Sequence, residues 1–162
     1  MNLYVNTIKN LDIFNSLYST GSHGTLIDCI DSTLTSGGGR LLRSWLINPI
    51  TDIKKINTRL LVTEAFVKNN KVLNHTRSLI KNAADLQRLL GKISSGKIAP
   101  REIIAIASTI EKIDSIKKYF SSIKNDSLEV LSNSILETKF LSEKIKNKLN
   151  DPAPVNISKG GV

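Results

Sequence analysis

Apolar residues recur every three or four positions along most of this chain, which is the spacing of amphipathic helices rather than the alternation of strands. Thr25 followed by Asp28 predicts a capped short helix running through Ile30. Gly37, Gly38 and Gly39 form a glycine turn that runs into a helix from Arg40 to Ile47, closed by Asn48 and Pro49. Asp52 caps the next helix, with Ile53, Ile56, Leu60 and Val67 along one stripe, and Lys68-Asn-Asn-Lys71 breaks it. Asn82 and Asp85 make another cap pair ahead of Leu86, Leu89, Leu90 and Ile93, with Gly91 near that helix's end. Pro100 suits a first helical turn, and Ile103, Ala107, Ile110, Ile113 and Phe120 follow at helical spacing. Asp126 and Glu129 cap a last helix whose seam is Leu128, Leu131, Ile135, Leu141, Ile145 and Leu149, with Asp151-Pro152 as its stop. Only residues 3–5 and 155–157 have strand character.

The pattern predicts an all-α helical bundle, with residues 1–162 as a single domain and at most a marginal strand pair at its termini. The last two helices, at roughly 20 residues each, would be rods of about 30 Å. The apolar stripes read as helix–helix packing.

Charge sharpens this picture. The net charge is +9, and residues 35–101 carry thirteen basic and three acidic side chains, so the excess sits in the middle third. A concentrated positive field attracts phosphate backbones without reading sequence. The same charge also fits a solvated, solubilising face. No apolar run approaches the roughly 20 residues of a membrane helix, and the N-terminal residues lack the pattern of a signal peptide. One cysteine excludes a disulfide within the chain. Cys29, between Ile27 and Ile30, reads as a buried thiol and points to an intracellular location. The Lys-, Asn- and Ile-rich composition suits an AT-rich bacterial genome.

Candidate chemistry is sparse. Gly91-Lys-Ile-Ser-Ser-Gly-Lys-Ile98 fits the opening of a phosphate-binding loop, but Ile98 stands where a magnesium-binding hydroxyl is required. The segment also leaves a helix rather than a strand. His23 and His75, both read as loop residues, cannot build a metal site with a single cysteine. Asp28 and Asp31 share a helix face as surface carboxylates. No catalytic residue, cofactor or metal site is therefore assigned.

Four segments in order do carry a resemblance. Met1-Asn-Leu-Tyr-Val-Asn-Thr-Ile-Lys-Asn-Leu-Asp-Ile13 is similar to the M-x-L-D-x-x-T-x-x-N-L-E-I entry to the core, or lever, domain (domain III) of the MutS family of DNA mismatch-repair ATPases. Leu3, Thr7, Asn10, Leu11 and Ile13 match, while Tyr4 and Asp12 depart. Thr35-Ser-Gly-Gly-Gly-Arg-Leu-Leu-Arg-Ser-Trp-Leu-Ile-Asn-Pro49 resembles the glycine–arginine–tryptophan segment that follows, with Gly37 where an apolar residue is common. Asp85-Leu-Gln-Arg-Leu-Leu-Gly-Lys-Ile93 and Ser95-Gly-Lys-Ile-Ala-Pro-Arg-Glu102 resemble the D-L-E-R-L-L and P-R-(D/E) segments. Asn150-Asp-Pro-Ala-Pro and Lys159-Gly-Gly-Val162 resemble the elements just before the family's clamp.

The resemblance implies a fragment that mechanically links an ATPase to a DNA clamp, both outside this chain, with ATP and magnesium bound only in the missing ATPase domain. It implies a full-length protein that is dimeric, cytoplasmic and nucleoid-associated when on DNA, whose partners are duplex DNA and its own other domains, with no membrane involved. Gly38, Arg40, Trp45, Pro49, Asp85, Pro100 and Arg101 are the motif positions, with structural roles. Trp45 is expected as a core anchor, and Arg40 as the partner of a carboxylate or a helix carbonyl. Arg43, Lys54, Lys55, Lys92 and Lys97 are candidates for weak contacts to DNA phosphates. Two other readings of the residues stand beside this one: a free-standing helical adaptor for a partner protein, and a small basic nucleic-acid-binding protein.

Overall fold

The computed structural model describes residues 3–16 and 23–149. Its backbone gathers into two compact units, residues 1–59 and 60–162. The described residues are mostly helical and contain no strand, as the all-α expectation requires.

The first unit holds α1 (Val5–Asn10), α2 (Leu26–Ile30), α3 (Ser36–Ile47) and the start of α4 (Ile53–Lys68). Instead of a strand at residues 3–5, Val5 opens α1 and the Leu3 N–H donates to the Ile47 carbonyl at 3.1 Å, satisfying an orphan acceptor at the end of α3. The other half of the expected strand pair, 155–157, lies outside the described residues. Helix α1 ends in a Schellman turn, with Asp12 in the left-handed region (φ 45°). There the Asp12 N–H donates to the Lys9 carbonyl at 3.1 Å and the Ile13 N–H to the Ile8 carbonyl at 3.2 Å. The carbonyls of Asp12 and Ile13 then accept the N–H groups of Leu26 and Ile27, at 3.0 and 3.1 Å, which docks the start of α2 on this turn. Thr25 caps α2 as expected, its hydroxyl accepting from the Asp28 N–H. Cys29 is exposed, not buried. Ile27, two positions before it, is the residue that turns inward, at 2% exposure.

The glycine segment is helix rather than turn. Thr35 caps α3 and accepts the Gly38 N–H at 3.0 Å, so Gly37, Gly38 and Gly39 form the first helical turn. The glycines make room for threonines. A Cβ on Gly38 would meet Thr35 Oγ1 at 3.1 Å, and one on Gly39 would meet Thr33 Oγ1 at 3.3 Å.

The second unit holds the rest of α4, α5 (Asn70–Ile80), α6 (Leu86–Ser94), α7 (Pro100–Ser121), α8 (Asp126–Ser134) and α9 (Lys139–Lys146). Helix α7 is the axis: α5, α6, α8 and α9 all pack on it. One core gathers Ala65, Val72, Ile116, Phe120 and Leu128, and a second gathers Leu89, Ile106 and Ile110. Pro100 begins α7 as expected, and Ala107, Ile110 and Phe120 are buried along it.

Several expectations are corrected in this unit. The second long helix is broken: α8 and α9 are separated by 135–138, so α7 is the one long rod among the described residues. Asn125, not Asp126, caps α8. Helix α5 falls where only a break was expected, with Asn69 as its cap, and it carries His75 out of the loop assigned to it. Asp85 alone caps α6, while Asn82 takes a left-handed turn (φ 61°). Of the stripe expected on α4, Ile53, Leu60 and Val67 are exposed and Ile56 is half-buried, while Ala65 is the buried residue.

Candidate functional site

In the first unit, α3 presents Arg40, Arg43 and Trp45, and α4 presents Lys54, Lys55 and Arg59. Trp45 is no core anchor. It is 41% exposed, and the Arg59 guanidinium lies 3.7 Å from its ring centroid. Arg59 is a functional candidate that sequence reasoning missed, because nothing in the sequence shows that it meets Trp45. A second guanidinium, of Arg43, sits 5.3 Å from the Phe14 ring centroid. Arg43 also acts on Asp31, whose carboxyl is held below its ordinary range. The causes are the Thr33 hydroxyl, at 2.7 Å, then the Thr33 N–H, at 3.0 Å, with Arg43 adding attraction. Arg43 thus faces an aromatic ring and lies within electrostatic reach of a carboxylate. Arg40 is exposed on α3, and Pro49 follows the Asn48 C-cap.

Lys54 and Lys55 occupy the first turn of α4, where Asp52 Oδ1 accepts their backbone N–H groups at 2.9 and 3.2 Å. Both side chains are exposed. Cations at a helix N-terminus oppose the helix dipole, and the Asp52 carboxylate offsets them.

Replacing Trp45 by Ala is expected to lower the stability of the isolated chain by about 1–2 kcal/mol, the scale of a half-exposed ring and one cation–π contact. Thermal unfolding measures this. A loss of about 4 kcal/mol or more would place the ring in a core.

In the second unit the loop-like segment 91–98 is the C-terminal stop of α6. The Gly96 N–H donates to the Ile93 carbonyl at 3.0 Å and the Lys97 N–H to the Lys92 carbonyl at 2.9 Å, with Gly96 left-handed at φ 66°. These are the two bonds of a Schellman turn, and they explain the second glycine without any phosphate. The two glycines therefore predict opposite effects. Gly96→Ala forces a side chain into a left-handed position and lowers stability by about 1 kcal/mol. Gly91 lies within α6 with open space at its Cβ, so Gly91→Ala raises stability by about 0.5–1 kcal/mol. Urea midpoints of the two variants check the sign.

The turn brings Lys92 and Lys97 together beside the start of α7. Lys92 Nζ donates to Glu102, whose other oxygen accepts the Ala99 N–H at 3.1 Å. The Glu102 carboxyl is held below the usual glutamate range, first by Lys92 and then by the Ala99 N–H, with a weaker contribution from Arg88. Lys92 is thus committed to an internal ion pair, whereas the Lys97 side chain is exposed. Asp85 caps α6 by accepting the Arg88 N–H, Pro100 is buried at the first position of α7, and Arg101 is exposed beside it.

A cleft of about 580 Å³ opens between the second half of α7 and the break before α9, lined by Asp114, Lys117, Lys118, Ser121, Glu137 and Lys139. Asp114 Oδ2 is buried there without a hydrogen-bond partner. The cleft's charges are largely paired along its walls, Lys117 with Glu137 at 3.6 Å and Lys139 with Glu143 at 3.1 Å.

Among the described residues, no group of three His, Cys, Asp or Glu side chains is placed to hold a metal, and no helix is long and apolar enough to cross a membrane. The fold and its surfaces define an all-α helical module with exposed basic and aromatic side chains. The chain belongs to the MutS family of DNA mismatch-repair proteins: the family's model for MutS domain III matches residues 6–162. It is similar to the DNA mismatch repair protein MutS of Flavobacterium johnsoniae, at 40% identity over 154 residues, covering 95% of this chain and 18% of that protein. The corresponding protein of Christiangramia forsetii is 34% identical over 156 residues, covering 96% of this chain and 18% of its own length. That of Exiguobacterium sp. is 29% identical over all 162 residues, covering 19% of its length. The chain therefore spans about one fifth of the length of these curated relatives.

Proposed function

We propose that this chain is the core domain of a longer DNA mismatch-repair protein, where it couples the nucleotide state of an ATPase to the grip of a clamp on DNA and performs no chemistry of its own. The observation that carries this reading is the match to domain III over residues 6–162, together with relatives five times longer than the chain. Helix α7 supports a transmitting role. At 22 residues it is a rod of about 33 Å, on which four other helices of its unit pack. A displacement carried this way is reciprocal in free energy, so DNA held by the clamp biases the ATPase as much as nucleotide biases the clamp. ATP and magnesium belong, in this reading, to the ATPase outside the chain, and dimerisation to the full-length protein.

Contact with DNA by this chain is a weaker, electrostatic matter. Lys54, Lys55 and Lys97 are exposed, as is Arg43 with its guanidinium against the Phe14 ring, while Lys92 is half-buried and paired with Glu102. The isolated chain is expected to bind any duplex weakly and with strong salt dependence, with no preference for a mismatch and no ATP hydrolysis. Fluorescence anisotropy with matched and mismatched duplexes at two salt concentrations tests this. Binding that survives high salt, or that discriminates a mismatch, contradicts the reading.

The adaptor reading calls for an apolar groove between two long helices, and the second of these is broken between α8 and α9. Sequencing the source gene past the codon for Val162 separates the two. A frame that continues into a clamp and an ATPase supports the domain reading, and a stop codon there supports the adaptor.

A further inference from the structure

The cleft of the second unit holds two opposite charges that its other groups leave unanswered. Asp114 and Lys118 both line it and stand one turn apart on α7, about 6 Å along the helix axis. An acid four residues before a lysine is the favourable order for an ion pair on a helix. Among the described residues, however, no ion pair joins these two. Asp114 is half-buried, and its Oδ2 is buried with no hydrogen-bond partner. Lys118 is exposed. The neighbouring lysines are already matched, Lys117 by Glu137 at 3.6 Å and Lys139 by Glu143 at 3.1 Å. A carboxylate taken partly out of water without a cation or a full set of donors lowers stability. Positions that break a local rule in this way mark functional or strained sites.

The cleft has the size of a small-molecule site. Its volume of about 580 Å³ lies within the roughly 300–1,000 Å³ usual for ligand pockets, far more than one ion fills. The aliphatic stems of Lys117, Lys118 and Lys139 offer apolar cover, and their ammonium groups offer donors to an anion. Asp114 can only accept. The ligand that answers both charges has an N–H donor at one end, an anionic group at the other and an apolar or flat body between. Three lysines disfavour a metal cation. Asp114 and Glu137 disfavour a bare inorganic anion. Duplex DNA offers phosphates to the lysines and no donor to Asp114, because its bases are paired and stacked away from such a cleft.

We propose that this cleft binds a nucleoside monophosphate or a small molecule of the same bipolar build. An amino group of the base donates to Asp114, and the phosphate is held by Lys118 with Lys139 across the cleft. Lys117, Asp114 and Lys118 share one helix, so the spacing of the two ends of the ligand is set by the rise of α7.

The test is titration of the 162-residue chain with AMP, followed by amide chemical shifts, with inorganic phosphate and adenosine as separate probes. Saturating shifts at Asp114, Lys118 and Lys139 are expected, with a dissociation constant of about 1 mM or below. Phosphate and adenosine should each bind at least about tenfold more weakly than AMP, since each meets only one end of the site. Lys118→Gln and Asp114→Ala should each weaken AMP by about tenfold or more. Asp114→Ala should also raise the thermal midpoint by removing the unanswered carboxylate, which separates loss of the site from loss of the fold. The absence of saturable shifts overturns the proposal, as do shifts confined to residues away from the cleft. Phosphate binding as tightly as AMP overturns it in favour of a simple lysine patch. Unchanged AMP affinity in Asp114→Ala overturns it as well, because the donor end of the ligand would then have no partner.

Discussion

Replacing Phe120 by Ala is expected to destabilise the second unit by about 3–5 kcal/mol. Phe120 is 2% exposed and closes the larger of the two cores. Its ring meets Phe66 edge-on at 5.9 Å between centroids, a geometry that adds to the burial of area. Ala65, Val72, Ile116 and Leu128 line the space the ring would vacate, and they belong to four different helices. Filling that space would require four elements to move together, so the cavity stays largely open and the loss lies toward the upper end of the range. Against a typical total of about 5–15 kcal/mol, this leaves little stability. Urea unfolding followed by helical circular dichroism measures it. Phe140→Ala is the control: that ring is 68% exposed, and its loss should stay within about 0.5 kcal/mol. Equal effects of the two substitutions would mean that Phe120 is not at the centre of a core.

The second large effect comes from a single hydroxyl. Thr109 is 4% exposed on α7. Its Oγ1 accepts the Ala84 N–H at 2.9 Å and donates to the Ala105 carbonyl at 2.8 Å. Ala84 lies in the segment between α5 and α6, so this bond pins a loop to the central helix. Thr109→Val keeps the shape and removes the acceptor, leaving the Ala84 N–H unsatisfied in a partly buried place at about 1–3 kcal/mol. Thr109→Ser retains the hydroxyl and should lose less. Hydrogen exchange at Ala84 should quicken in the valine variant and remain slow in the serine variant. No change at Ala84 in either would show that the bond contributes little.

The helix boundaries were legible where a polar side chain marks them. Thr25, Asp85 and Pro100 each open a helix where expected, because capping is a local interaction written in a few consecutive residues. The facing of a helix was less legible. Helix α3 carries two apolar rows, Leu41–Trp45 and Leu42–Leu46, and periodicity alone cannot say which one turns inward. The same ambiguity on α4 led to Ile53, Leu60 and Val67 rather than Ala65 and Phe66. The break between α8 and α9 did leave a trace. The step from Ile135 to Leu141 is six residues, and at about 100° per residue six steps carry the row well away from its own face. As for the candidate site, sequence located the exposed Lys54, Lys55 and Lys97. It could not show that Lys92 is held by Glu102, or that Arg59 stacks on Trp45, since both contacts depend on how separate helices meet.

Side-chain caps at Thr25, Thr35, Asn69, Asp85 and Asn125 also bear on how the chain folds. Each marks a helix start using residues within one turn, so those boundaries can form before any distant part of the chain arrives. In the second unit, helix α7 then meets α6 just before it and α8 just after it in sequence, as well as α5 and α9 a little further off. Structures built from such near-neighbour contacts close short loops and fold in about microseconds to milliseconds. The helices of the second unit would then need no slow search for distant partners, because each finds its place on α7 through a short connection.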